Sequence, residues 1–590
     1  MPAPTSSSGW VHWLESGPGA RWLTRAAFVL GVLVLSFAVA MKQFRGPRSE
    51  TTLAQAAVAR QLAAGAGFTT PVNEPHVVAW FEARGVPFDP ARPYPELRHA
   101  PLYPALLGGV LALLPEGVRT RWLSDLPATP DGFAGDYVLL GVNGLLLWGA
   151  VLLTWRLGVR LFSPAVGVVS AGALLLSAPV WTATVALNGT PLAMVIVLLI
   201  AHAWVRAVEA RAAGGSGRLG WALAGAGCGA LFLIDYTLGL MAPLVAGAAA
   251  WGRAPGRRVA PVLLVLGAAL LVASPWLIRN VAIAGHPLGL AWQEVAWRAG
   301  DPTAEPEQFR RTFSAEAPAI DLRKLANKAL TAVQSGVQAD LWAGGLLFSA
   351  FFVAGWVYRF PHDAARSLRA GVTLALAGLT VARGLCDSGE GERLPALILA
   401  PLLIVFGTAF LQVLLASQPF WAARLRPAWV GVLVLQSLPL WQDVLEPRRT
   451  HFHYPPYHPG LLVELGDALQ RGNGAHAAWM ADIPAGAAWY SGSRVWWQPS
   501  SLRGFREVMV RQPVEALLLT PHTLDRPFFA DLNRPTVEAS RFGDWGRIYV
   551  GLIDERLPAD FPLPQHRRLA DNVRLMSVPG ALRPTVKSLR

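Results

Sequence analysis

The chain has 590 residues, 53% of them hydrophobic and only 15% charged, with a mean hydropathy of +0.37. Soluble domains carry about 25% charged residues, and here the deficit lies in long apolar runs, which excludes an ordinary soluble enzyme and points to a polytopic membrane protein. The net charge of +13 sits mainly in short loops, so it argues for orientation in a bilayer and against nucleic acid, while Cys228 and Cys386 suit neither a disulfide nor a zinc site.

Arg21 and Arg25 precede the first apolar stretch, which ends in Ala38-Val39-Ala40. It is long enough to cross a membrane, so it reads as an uncleaved span and not as a signal peptide. Spans are expected at 22–41, 137–155, 164–182, 190–206, 219–235, 237–252, 260–278, 340–357, 370–385, 395–415 and 428–445. The apolar run 101–114 starts and ends in Pro-flanked sequence and is too short to cross, which suits an interfacial or re-entrant helix. With the N-terminus cytoplasmic, the short inner loops carry arginines such as Arg156, Arg160, Arg206, Arg211, Arg366 and Arg369. The short outer loops hold only Arg393, against Asp235, Asp387, Glu390 and Glu392. That is the positive-inside asymmetry, and it places the chain in the plasma (inner) membrane.

The expected organisation is therefore a cytoplasmic segment 1–21, a transmembrane domain 22–445 with large external loops 42–136 and 279–339, and an extracytoplasmic α/β domain 446–590. In the first loop, Thr51–Ala64 reads as a helix whose Leu53, Ala57, Val58 and Leu62 suit the membrane surface. In the tail, helical patterns at 460–471 and 500–512 alternate with β-type runs at 477–480, 516–519, 548–552 and 573–576. No G-x-G-x-x-G follows a strand, and His451, His453 and His458 read as a linker.

Three stretches carry polar groups to the outer boundary. Pro47-Arg48-Ser49-Glu50 puts a carboxylate at the start of the Thr51 helix, where it is close to lipid yet wet enough to ionise; alternatively Glu50 only complements the positive end of that helix. Arg98-His99 stands before Pro101-Leu102-Tyr103-Pro104 and could grip a phosphate or merely anchor the interface. Ser274-Pro275-Trp276-Leu277-Ile278-Arg279-Asn280 puts Trp and Arg where span seven leaves the bilayer, as a phosphate contact or an aromatic belt with a snorkelling Arg.

Taken in order, these stretches resemble the GT-C membrane glycosyltransferases, in particular the bacterial branch related to protein O-mannosyltransferases and lipid A aminoarabinose transferases. Arg160-Leu161-Phe162-Ser163-Pro164, Ala224-Gly225-Ala226-Gly227 and Gly391-Glu392-Arg393 add to the likeness, which covers about residues 20–415. The resemblance implies a GT-C-like bundle of about 11 spans that takes a sugar from a polyprenyl-phosphate donor and passes it to a glycan, lipid or protein acceptor outside the cell. It further implies Glu50 as the catalytic group, and Arg98, His99, Tyr103, Asn188, Asp235, Arg279 and Arg393 as substrate-binding residues. The family's Asp-Glu pair reads Ser49-Glu50 here, its usual catalytic Asp being replaced by Ser49, and Asn188 stands nearest a usual acidic residue. No cofactor is required, and a divalent metal stays open. Two other readings stay open as well: a non-catalytic relative that binds lipid-linked sugar, and a transporter or flippase. The near absence of charge inside the spans weighs against the latter.

Overall fold

A computed structural model describes residues 18–90, 92–124, 132–250, 258–300, 309–316, 319–343, 347–386, 395–422, 424–445, 457–473, 478–524, 543–556, 561–570 and 572–581. The described residues of the eleven expected spans lie mainly on helices; 251–252 and 344–346 fall outside the described residues. Seven helices are long and apolar enough to cross a membrane on their own: Ala26–Gln43 within Pro18–Gln43, Ala134–Leu161, Thr190–Ala212, Val259–Ala284, Asp363–Cys386, Pro395–Ser417 and Leu425–Leu445. An eighth stretch is bent: Pro164–Leu175 turns by 53° into Ala178–Val185, where Pro179 in the first turn brings no amide to the ladder. The other three lie on shorter helices, Arg218–Phe232, Met241–Ala250 and Leu347–Ala354. The chain is a multi-pass helical membrane protein.

Small residues let the helices approach closely. Gly225 and Gly229, one turn apart on Arg218–Phe232, lie so near the backbone of Val265 and Ala269 that neither has room for a Cβ. This close backbone approach is the contact that a G-x-x-x-G spacing produces between membrane helices. The Pro395–Ser417 helix is buried along most of its length and forms the centre of the bundle, whereas Pro18–Gln43 keeps Trp22, Phe28, Leu30 and Phe37 exposed, as a lipid-facing helix does.

Outside the bundle lie two sheets. One is small, pairing β1 (Thr69–Thr70) antiparallel with β3 (Tyr94–Pro95). The other has six strands in the order β2-β5-β4-β6-β8-β7, built from β2 (Val72–Asn73), β4 (Ala478–Ala481), β5 (Val495–Trp497), β6 (Val514–Leu519), β7 (Gln565–Ala570) and β8 (Val573–Ser577). Strands β2, β5, β4 and β6 are parallel, and β8 and β7 continue antiparallel. Helices Pro484–Ser491 and Leu502–Arg511 connect β4 to β5 and β5 to β6. The edge strand β2 comes from the segment after the first helix, so the sheet joins two distant parts of the chain.

Two expectations need correction. Residues 548–552 are not a strand but part of the helix Gly543–Ile553. Trp545, Ile548, Tyr549 and Leu552 bury one helical face at i, i+3, i+4 and i+7, and this burial overrides the β preference of Ile, Tyr and Val. The helix after span one, Glu50–Ala63, does not lie with a single apolar face on a surface. Thr52, Leu53, Gln55, Ala56, Ala57, Val58 and Ala59 are all buried, because alanine-rich faces admit the Leu102–Leu113 helix on one side and the Pro484–Ser491 helix on the other.

Candidate functional site

The loop 94–101 folds around one carboxylate. Glu96 Oε1 accepts the backbone N–H of Arg98 at 2.7 Å and of His99 at 2.9 Å, and lies 3.2 Å from His99 Nδ1. Burial opposes the Glu96 charge, but the adjoining His99 and these donors outweigh it and hold the carboxyl at about 2. The turn throws the two following side chains in different directions. Arg98 Nε donates to Glu74 Oε2 at 2.7 Å and its Nη1 to Glu294 Oε1 at 2.8 Å, with its side chain only 4% exposed. Glu294 also takes Arg310, whose Nε donates at 2.7 Å; burial again opposes its charge, while Arg310 and Arg98 bring it to about 2.

Arg279 reaches the same turn from the outer end of Val259–Ala284. Its Nη1 donates to Glu96 O at 2.9 Å and its Nη2 to Phe68 O at 3.1 Å, and its guanidinium lies 4.3 Å from the Trp276 ring centroid. Trp276 Nε1 donates to the Tyr236 hydroxyl, which in turn donates to His99 O at 3.4 Å. Asp235 precedes that tyrosine and caps its turn, accepting Thr237 N at 2.9 Å and Thr237 Oγ1 at 2.7 Å. Arg98 and His99, Arg279 and the Asp235 turn, from three separate stretches of sequence, thus converge.

Around the turn, three guanidiniums (Arg98, Arg279, Arg310) stand against three carboxylates (Glu74, Glu96, Glu294), with Asp235 beside them. Among the described residues, Arg98 Nη2 and His99 Nε2 are buried with no hydrogen-bond partner. A buried donor left unpaired costs about 1–3 kcal/mol, so Arg98 Nη2, with the unpartnered His99 ring nitrogen beside it, marks a place for a polar group such as a phosphate oxygen.

The remaining chosen residues lie elsewhere. Tyr103 is fully buried and donates to Leu187 O at 2.6 Å and Asn143 Oδ1 at 3.1 Å. Asn143 Nδ2 donates to Asn188 O, and Asn188 Oδ1 accepts Thr190 N, so Tyr103 and Asn188 share a network inside the bundle. It holds the turn at Leu187, whose φ of 59° is unusual for a residue with a side chain. Glu50 opens its helix behind the N-cap Ser49, and its carboxylate accepts Tyr457 Oη at 2.8 Å, Ala485 N at 2.8 Å and Gly486 N at 3.3 Å. It therefore sits on the N-terminus of Pro484–Ser491. Glu50 opens a fourteen-residue helix, about 20 Å long, whose other end at Ala63 leads to Phe68 beside Arg279. Arg393 lies outside the described residues, as do Asp387, Glu390 and Glu392. No group of three metal-ligating side chains occurs among the described residues.

Sequence reasoning passed over Glu74, Glu96, Glu294 and Arg310, which look like solvated loop charges. It also passed over Asp136, a buried carboxylate that accepts Trp489 Nε1 at 2.8 Å and Tyr490 Oη at 3.0 Å. The spacing Glu96-x-Arg98-His99 was the one local signal, since a carboxylate two residues ahead of two free amides can close a turn on itself.

No protein-family model matches the chain, and no curated protein matches it. Among solved structures, the oligosaccharyltransferase of Archaeoglobus fulgidus in its apo form aligns with 85% of this chain and 70% of its own, at 8% identity and a TM-score of 0.49. The same enzyme tethered with an acceptor peptide containing the NVT sequon gives 11% identity and 0.43 over 86% of this chain and 70% of its own. ArnT from Cupriavidus metallidurans bound to undecaprenyl phosphate covers 98% of this chain and 100% of its own, at 11% identity and a TM-score of 0.40. At such scores these likenesses carry no argument about this chain's chemistry.

Proposed function

We propose that the chain is a membrane glycosyltransferase that moves a sugar from a polyprenyl-phosphate carrier to an acceptor on the extracytoplasmic face. The observation that carries this reading is the unpartnered buried donor Arg98 Nη2, beside the unpartnered ring nitrogen His99 Nε2, in a cluster completed by Arg279. The ordered motifs that resemble GT-C enzymes support it as well. In this reaction the acceptor oxygen attacks the anomeric carbon, the bond from that carbon to the phosphate oxygen breaks, and the acceptor proton passes to a base. Arg98, His99 and Arg279 stabilise the charge that develops on the departing phosphate. Two carboxylates compete for the proton. Glu50 is the one the resemblance implies, while Asp235 adjoins Tyr236, whose hydroxyl reaches His99. Asp235 has the better position.

The test is transfer by purified protein in lipid nanodiscs, using a panel of polyprenyl-phosphate sugars and reading free polyprenyl phosphate and glycosylated product. His99→Gln and Arg279→Gln are each expected to lower kcat about tenfold or more, or about 1.4 kcal/mol per tenfold, when assayed well below the melting temperature of each variant. Asp235→Asn lowers transfer further than Glu50→Gln if Asp235 is the base; the reverse order assigns the proton to Glu50. One observation favours a second reading, a non-catalytic binder of lipid-linked sugar: Ser49 serves as a cap and Glu50 already accepts three hydrogen bonds. Retained binding of the polyprenyl-phosphate sugars without turnover of any of them would select that reading.

A further inference from the structure

Glu96 serves its turn twice. Its backbone carbonyl takes Arg279 Nη1 at 2.9 Å, and its carboxylate Oε1 closes the turn by accepting the amides of Arg98 and His99. That same oxygen lies 3.2 Å from His99 Nδ1, as an ion pair three residues apart. The two amide bonds suffice to close the turn, so the contact with the ring is an addition to it.

An ionised carboxylate has no hydrogen to give. Glu96 stays ionised, because the adjoining His99 and the amide donors outweigh its burial and hold it at about 2. The hydrogen between Oε1 and Nδ1 therefore belongs to the imidazole. This fixes the tautomer: in the neutral ring Nδ1 carries the proton and Nε2 a bare lone pair, and in the charged ring both nitrogens carry hydrogen. Nε2 is buried with no partner among the described residues, although the side chain as a whole keeps 10% of its surface exposed. A lone pair at Nε2 repels an anionic oxygen, whereas a charged N–H binds it. The charge on the ring thus decides whether His99 can serve a phosphate.

Other groups bear on that charge. Arg98 and Arg279, held by the same turn, oppose it, and Glu294 favours it from the helix Ala291–Gly300. Asp235 adjoins Tyr236, whose hydroxyl reaches His99 O. Glu96 is within hydrogen-bonding distance of the ring itself. We infer that Glu96 is a positioning residue: it holds the His99 ring with hydrogen on Nδ1 and favours its charged form, which makes Nε2 a hydrogen-bond donor to the departing phosphate. The inference rests on the proposed function for the phosphate and on the Glu96–His99 contact for the rest. His99 lends a hydrogen bond and keeps its proton, and the acceptor's proton still goes to the base. Transfer therefore declines as pH rises and the ring loses its charge, and without Glu96 the decline comes at lower pH.

The experiment uses the full chain in lipid nanodiscs with its 12 histidines labelled with nitrogen-15 in the ring, the His99 signals being those missing from His99→Gln. Nitrogen shifts report ring charge and tautomer against pH without any turnover, and transfer from the polyprenyl-phosphate sugars is followed over the same pH range. In the wild-type protein the neutral ring is expected to carry its proton on Nδ1. Glu96→Gln keeps an oxygen for the two amides and removes the charge. Its ring is expected to lose charge at lower pH than the wild-type ring, and its kcat at neutral pH to fall about tenfold and recover on acidification. A residue that only closed the turn would leave the pH of the decline where it was. In the His99→Gln background Glu96→Gln is expected to change kcat by less than about twofold, because a group that acts through His99 has nothing left to act on. Glu96→Asp, which withdraws the charge by one methylene, serves if Glu96→Gln does not fold, and is expected to move both curves the same way by less. A neutral ring protonated on Nε2, a ring titration unmoved by the variants, or a loss of transfer equal at every pH and undiminished in the His99→Gln background would each overturn the inference. The expected ring behaviour in a protein that transfers no sugar would uphold the hold of Glu96 on His99 and sink the catalytic reading; transfer with an unmoved ring would sink the inference and keep that reading.

Discussion

Glu50 is a carboxylate with two competing occupations. Its three donors include two backbone amides at the start of Pro484–Ser491, and gluing that helix to the first external loop is work enough for one side chain. Replacing it by Gln puts an NH2 group against amide donors that need an acceptor, so melting of the outer domain should fall by about 1–3 kcal/mol whether or not transfer changes. An unchanged melting curve in Glu50→Gln would remove the structural role. The residues picked from sequence that do converge, Arg98, His99 and Arg279, were legible because they stand directly beside apolar helices, where a cation has few idle uses. Their carboxylate partners were not legible. Glu74 and Glu294 acquire meaning only when distant segments fold together around Arg98, and Glu96 left only its spacing to Arg98 and His99 as a signal.

At the scale of elements, the helices were readable from apolar length, and the tail strands only where they were buried on both faces. Strand β7, Gln565–Ala570, carries His566, Arg567 and Arg568 on an exposed edge, the composition by which proteins protect an open strand, and it has no apolar alternation to read. The two-sided burial of the Glu50 helix escaped the sequence because alanine is as much at home in a groove as on a surface. Its contact with Leu102–Leu113 can be tested at Gly108, where a Cβ would stand 2.9 Å from Leu62 Cβ and 3.0 Å from Ala59 O. Gly108→Ala is expected to lower stability by about 1–3 kcal/mol, read by thermal melting; a neutral result would mean that the two helices separate freely.

A second element-scale prediction concerns His76, which ties the segment around Ser314 to the first loop. Its Nδ1 lies 2.6 Å from Ser314 O and its Nε2 lies 2.6 Å from the Gln293 amide. Turning that amide end for end gives Nε2 a donor and keeps the ring neutral. Burial and the Arg98 charge push the His76 pKa down from 6.5 to about 4. Between those values the unfolded chain takes up a proton that the folded chain refuses, so stability falls as pH drops from 6.5 towards 4, by up to about 3 kcal/mol. His76→Gln should flatten that slope in a series of melting curves. An equally steep slope in the variant would assign it to other groups.

The whole molecule is held together across the membrane surface by contacts that no single stretch of sequence contains. Strand β2 enters the large sheet from the first loop, Asp136 at the head of Ala134–Leu161 receives Trp489 and Tyr490, and Arg60 Nη1 donates to Trp489 O at 2.6 Å. Burial pushes Arg60 down to about 10, still far above neutral pH, so that contact stays charged. The bundle and the tail were legible as separate bodies because one is apolar and the other mixed, but hydropathy says nothing of a strand lent from one to the other. If the sheet depends on that strand, a protease site inserted between Leu445 and Tyr457 should yield two fragments that remain together through purification in detergent, and the tail produced alone should present the bare edge of β5 and aggregate. Adding Asn73→Pro, which cannot donate to the ladder with β5, or Asp136→Leu, which strips two buried donors of their acceptor, should make the cleaved halves separate. A soluble, monomeric tail made on its own, or cleaved halves that part without either substitution, would mean that the C-terminal sheet merely rests on the bundle and that the contacts of Asp136 and Arg60 with Trp489 and Tyr490 do not fix it there.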